Sequence, residues 1–190
     1  MQDLNIEPDI FFVLTALLLA FGMYQTLGTA LNTDTPVVSV ISPSMEPTFY
    51  RGDLILVKGT SIDRLEAGRQ DGDIIVFTSR YLRMPIIHRV INKHNHSVDT
   101  MGDANSRQVR YKLCDVGGRT QIVTPGTVCP GRHIRTVNVE ENITEQQIKG
   151  EVFLIIPKLG YAKIIPTCLY MAVLYSPNHP AAQTICRGIL

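Results

Sequence analysis

No block of this chain is strongly basic or acidic. Its 190 residues carry 18 Lys and Arg against 17 Asp and Glu, a net charge of +1, so the concentrated basic face that nucleic-acid binding needs is missing. Internal repeats and low-complexity tracts are absent as well, which leaves one folded domain plus accessories, long enough to bury a core. The four cysteines include no Cys-x-x-Cys, so a zinc site would have to be improvised from Cys114, Cys129 and His133. The most consequential absence is of charge. From Ile10 to Leu31, 22 residues pass without one Asp, Glu, Lys or Arg.

As a helix that run is about 33 Å long at about 1.5 Å per residue, which matches a bilayer core of about 30 Å. A retained membrane anchor is therefore expected over 10–31. The competing reading is a cleaved secretory signal peptide, for which Gly28-Thr29-Ala30 offers a small-x-small site. Against it, residues 1–9 contain no Lys or Arg, and the run exceeds an ordinary signal core. Basic residues are also too scarce at both flanks for the positive-inside rule to set orientation.

After a linker at Asn32–Pro36, β-branched runs alternate with turn signals. Strands are expected at Val37–Ile41, Asp53–Lys58, Asp73–Phe77, Ile86–Ile91, Gln121–Val123, Ile134–Val139 and Glu151–Ile156, with a turn or two of helix at Thr144–Ile148. The fold class is mainly β, sandwich- or barrel-like, on one helical stalk. We place the β domain at 36–163, with a polar, turn-rich insertion at about 104–143 that holds Cys114 and Cys129. Those two could form a disulfide if the domain is extracytoplasmic, or remain thiols; Cys168 and Cys186 give no obvious pair. The apolar segment Ile164–Tyr175 opens a C-terminal region at 164–190 and is too short to span a bilayer. It reads as core, as an interfacial patch or as a truncated second anchor. Asn95-His96-Ser97 and Asn142-Ile143-Thr144 match the glycosylation acceptor pattern.

Three motifs carry chemistry. In Ser42-Pro43-Ser44-Met45-Glu46-Pro47-Thr48, two hydroxyls lie two residues apart, and on an extended chain they share a side, as a nucleophile and an oxyanion donor would. A serine hydroxyl needs a base, and neutral imidazole suits that task. Of five histidines, only His88 interrupts an apolar strand, between Ile86-Ile87 and Arg89-Val90. His94, His96, His133 and His179 sit in polar or proline-flanked stretches. The third motif, Gly102-Asp103-Ala104-Asn105, can present a carboxylate from a tight turn.

Taken in order, Ser-x-Ser-Met-x-Pro-Thr, Arg-Gly-Asp-x-Ile, Gly-Asp-Ile-Ile-Val-Phe, Ile-Ile-His-Arg-Val and Gly-Asp-Ala-Asn resemble the type I signal peptidases. The match is closer to the archaeal and endoplasmic-reticulum branch, in which histidine replaces a lysine base. The resemblance runs from Val37 to Asn105 and resumes at Ile148-Lys149-Gly150 and Pro157–Tyr161. It implies Ser44 as nucleophile, His88 as general base and Asp103 as the acid beside it, with Ser42 and Met45 at the oxyanion and substrate-binding positions. It implies no metal or organic cofactor, signal peptides of preproteins as substrates, cleavage after small residues, a lipid bilayer around the anchor and other membrane subunits as partners. The implied location is a membrane, crossed once, with the catalytic domain on the extracytoplasmic side. A non-catalytic scaffold subunit that has kept the fold is the alternative. Two positions depart from the pattern: Met101 stands where lysine is usual, and Val109 where many relatives have a second aspartate. Asp99 or Asp115 could substitute, or one acid could suffice.

Overall fold

The computed structural model describes residues 8–82, 84–116, 119–123, 134–174 and 186. Helix α1, Pro8–Ala30, takes up the uncharged run, and none of its apolar window from Ile10 to Ala30 is buried within the protein. Three of its hydroxyls are satisfied internally. Thr15, Thr26 and Thr29 each donate a hydroxyl to the carbonyl four residues earlier, which suits a helix surrounded by hydrocarbon.

The helix ends in a fixed junction. Asn32 adopts a left-handed φ of 52°, and the Thr33 N–H returns to Gly28 O. The Gly59 N–H donates to Leu31 O at 2.7 Å and Thr33 Oγ1 to Lys149 O at 2.6 Å. Only glycine fits at 59, because a Cβ there would lie 2.0 Å from Asn32 O. Lys149 Nζ also reaches Asp34 at 2.7 Å. That ammonium holds the Asp34 carboxyl below its usual range against the opposing effect of partial burial.

Beyond the junction, six antiparallel strands run in the order β1-β2-β9-β3-β4-β5: β1 Val37–Ser39, β2 Leu54–Lys58, β3 Ile74–Thr78, β4 Pro85–Lys93, β5 Val98–Met101 and β9 Ile148–Ile156. The sheet is covered on both sides. On β3, Ile75 and Phe77 join one core with Ile62, Leu65, Val90, Val98 and Ile143. Val76, pointing oppositely by strand alternation, joins Val40, Met45, Phe49, Ile55 and Val57 in the other. This is why β3 reads as a continuous apolar run rather than an alternating one.

Three further strands form a separate sheet inside residues 104–143, in the order β7-β6-β8: β6 Arg110–Val116, β7 Arg119–Ile122 and β8 Ile134–Asn138. Cys114 on β6 is disulfide-bonded, which withdraws it from any zinc site; Cys129 and His133 lie outside the described residues. The expected turn of helix near residue 144 is a 3-10 turn, Glu145–Gln147, closed by a reciprocal Thr144–Gln147 capping box.

The segment expected at Ile164–Tyr175 is helix α2, Tyr161–Leu174, with Pro166 inside it. Ile164 and Cys168, four apart on one face, pack together beside Ile41. Cys168 is bonded to Cys186, a pair the sequence had not suggested. Ile165, Leu169 and Tyr170 remain exposed. At 14 residues α2 is about 21 Å long, short of a bilayer crossing.

Candidate active site

The strand expected through Ile41 stops at Ser39, and the following segment turns from Ser44 to Thr48. The turn has its own hydrogen bonds, Glu46 N–H to Pro43 O and Thr48 N–H to Met45 O. Met45, 1% exposed, plugs it into the core. The Ser42 and Ser44 hydroxyls are thereby held 3.1 Å apart, although the backbone is not a regular strand there. Strand β4 brings His88 to the same place: its Nε2 lies 3.1 Å from Ser44 Oγ. The imidazole is 5% exposed and Ser44 is half-buried.

These groups open into a cleft of about 340 Å³. Val38, Val40 and Ile41 line one wall, and Pro85, Ile86 and Ile87 of β4 line the other. β1 and β4 are separated by β2, β9 and β3 in the ladder, so the sheet curls until two non-neighbouring strands share one groove. Across the long edge of β1 from β2, no strand of the six-stranded sheet pairs with it.

Asp103, expected beside the imidazole, faces elsewhere. Its two oxygens accept Arg89 Nε at 2.8 Å and Arg89 Nη2 at 2.7 Å, a two-point fork, and Thr48 Oγ1 also donates to it. Burial pushes the Asp103 carboxyl up, but hydrogen bonds from Arg89 and Thr48 outweigh it and hold the group below the usual range. Arg89 is raised in turn, chiefly by Asp103. Its remaining amino group donates to Gly72 O at 2.7 Å. Asp103 therefore ties the far end of the Ser44–Thr48 turn to β4. Next door, the Ala104 N–H donates to Ser44 O at 3.0 Å, so this loop clamps the turn from two sides.

The group at His88 Nδ1 is Glu140 Oε1. Glu140 is fully buried and lies just past β8, within the span read as an insertion, and its role was not anticipated. The only sequence hint was indirect: an acid missing at Val109 and a Glu-Glu pair directly after the expected strand Ile134–Val139. The two positions are joined in space, because the Val109 N–H donates to Glu140 Oε2. Asp99, the other candidate acid, is occupied by His94 at 3.0 Å and by the Asn142 N–H at 2.9 Å. Burial raises its carboxyl, and those two partners more than reverse that. Asp115 lies on β6 and its side chain is outside those described; His96 is exposed, and His133 and His179 are outside the described residues. Among the described residues no group of three or more His, Cys, Asp or Glu could hold a metal.

A serine hydroxyl facing a buried imidazole, with a second hydroxyl alongside and a carboxylate behind, can perform acyl transfer. No protein-family model matches the chain. Over 92 residues it is homologous to the signal peptidase complex catalytic subunit SEC11 of Saccharomyces cerevisiae strains YJM789, RM11-1a and JAY291. Each is 36% identical over 46% of this chain and 52% of the relative. The chain thus aligns with about half the length of these curated relatives.

Proposed function

We propose that this chain is a membrane-tethered serine endopeptidase that removes signal peptides from preproteins through an acyl-enzyme. The observation that carries the reading is the 3.1 Å approach of His88 Nε2 to Ser44 Oγ at the floor of an apolar cleft. Similarity to a catalytic subunit of a signal peptidase complex supports it independently. His88 takes the Ser44 proton as Oγ attacks the scissile carbonyl. The Ser42 hydroxyl and the Ser44 backbone N–H stabilise the oxyanion. The imidazolium then protonates the leaving amine, and water, activated by the same base, releases the acyl group. Asp103 acts by holding the turn that carries Ser44. No step in this chemistry calls for a metal or organic cofactor.

Substrate lies extended along the open edge of β1, adding a strand, with small side chains directed toward Met45 and the apolar walls. Residues 10–31 anchor the chain, 36–163 form the catalytic unit, and 164–190 make up a C-terminal region whose Ile164, Cys168 and Cys186 pack beside Ile41. Ser44 follows Leu31 by thirteen residues, so the nucleophile stays near the bilayer surface, where signal-peptide cleavage sites emerge, and works at raised effective concentration. The Cys168–Cys186 bond and the bonded Cys114 fit an oxidising, extracytoplasmic compartment. Other membrane subunits of a peptidase complex are the expected partners.

The test is processing of a model preprotein by membranes carrying wild type, Ser44→Ala or His88→Lys. Wild type should cleave and Ser44→Ala should not. Equal cleavage by Ser44→Ala, or none by correctly inserted wild type supplied with its membrane partners, would refute the proposal.

A further inference from the structure

We propose that Glu140, not Asp103, is the positioning residue that sets the tautomer and orientation of His88. The inference rests on the peptidase reading for its consequence, but its geometry is independent of substrate. His88 Nδ1 and Glu140 Oε1 are in direct ion-pair contact, both are buried, and among the described residues neither atom has a hydrogen-bonding partner elsewhere. A carboxylate only accepts, so Nδ1 must carry the ring proton. Nε2 is then left with its lone pair toward Ser44 Oγ.

The carboxylate is fixed at both oxygens, because Oε2 accepts the Val109 N–H. Its main chain is fixed as well. The Glu140 N–H donates to Asn138 Oδ1 at 3.1 Å, and its carbonyl accepts the Thr100 N–H at 2.8 Å and Gln108 Nε2 at 3.2 Å. Gln108 is in turn held by Asn138 Nδ2 at 2.9 Å. The small β7-β6-β8 sheet thereby delivers a carboxylate to the imidazole of the large sheet, close to where Val109 leaves none.

This arrangement makes Glu140→Gln diagnostic. An amide offers one acceptor and one donor group, whereas the site presents two donors, Val109 N–H and His88 Nδ1–H. With the amide oxygen on Val109, the NH₂ faces Nδ1 and drives the ring proton to Nε2. That nitrogen then points an N–H at Ser44 and cannot take its proton.

Two readouts are required on the full-length chain in detergent or membranes. In preprotein cleavage, Glu140→Gln should lower kcat by about 10³–10⁴-fold, the scale of a wrong-tautomer triad, with KM within about threefold. In ¹⁵N NMR with ring-labelled histidine, with His88 assigned by its loss in His88→Asn, the neutral ring should be protonated at Nδ1 in wild type and in Asp103→Asn, and at Nε2 in Glu140→Gln. A neutral wild-type ring protonated at Nε2 overturns the proposal even if Glu140→Gln fails to fold. Loss of the Nδ1 proton in Asp103→Asn, or wild-type kcat in Glu140→Gln, overturns it too. Activity surviving in Ser44→Ala would instead refute the peptidase reading and leave the tautomer result standing.

Discussion

Gly102 is the position at which one methyl group should do the most damage to this site. A Cβ built there would lie 2.5 Å from Ser44 O, 2.7 Å from Asn105 Nδ2 and 2.9 Å from His88 Nε2. Close carbon–oxygen contacts begin near about 3.3 Å, so the methyl overlaps the Ser44 carbonyl by about 0.8 Å. The Asn105 amide can swing away. The other two walls cannot yield cheaply, since Ser44 O is main chain held by Ala104 and the imidazole is wedged between Ser44 and Glu140. Gly102→Ala must therefore push the nucleophile and the base apart by several tenths of an ångström. Misplacement of about 1 Å costs roughly 10²-fold, and overpacking costs about 1–3 kcal/mol of stability. We expect kcat for preprotein cleavage to fall by about 30–100-fold while the protein remains folded by thermal melting and KM changes little. A folded Gly102→Ala protein with wild-type kcat would show that this loop does not abut the reacting pair.

Three further outcomes follow from the same geometry. Asp103→Asn leaves the Arg89 guanidinium, 9% exposed, without its carboxylate, and should cost about 3–5 kcal/mol in urea unfolding at neutral pH. Because the folded Asp103 pKa lies below its unfolded value of about 3.9, the pair's stabilisation is fully present above that pH and is lost as pH falls through the folded value. The gap between wild type and Asp103→Asn should accordingly close in acid, and a gap that widened there would refute the assignment. Ser42→Ala should lower kcat by about 10²-fold with KM held, as loss of an oxyanion donor does; a change under about threefold would remove Ser42 from that role. Cys186→Ser opens a loop of sequence separation 18 and should cost about 3 kcal/mol, read as a lower thermal midpoint under non-reducing conditions; an unchanged midpoint would refute the bond's contribution.

Ser44 and His88 were legible in the sequence because each is locally anomalous: paired hydroxyls in a proline-bracketed turn, and an imidazole inside an apolar strand. Strands β2, β3, β4, β8 and β9 were legible because each holds a cluster of β-branched and other apolar residues close to turn signals. β5 was not, since Val98-Asp99-Thr100-Met101 carries a charge, and it is held in place by pairing with β4 and Ile143, residues distant from its own local pattern. β6 was obscured differently. Arg110-Tyr111-Lys112-Leu113-Cys114 alternates as an exposed strand should, but its polar neighbours made the whole span read as loop. Glu140 was the least accessible. Nothing beside it in sequence distinguishes it from Glu141, which is exposed; only the meeting of β8 and β4 in space does. Asp103 was found from its Gly-Asp turn, but its contacts depend on Arg89, whose direction local pattern does not give.

The central place of β9 has a consequence for how the protein comes into being. Its ladder partners β2 and β3 are made early, yet in the ladder they are joined only through β9, a strand that ends at Ile156. At 5–20 residues per second, translation from His88 to Ile156 takes roughly 3–14 s. Throughout that interval Ser44 and His88 both exist on the nascent polypeptide, but β1-β2 and β3-β4-β5 have no β9 to join them into one sheet. Helix α1 precedes every strand in the chain, so it is made before the sheet can close. A partly translated copy therefore carries Ser44 and His88 without the complete sheet, and the candidate site can assemble only once β9 has paired with both β2 and β3.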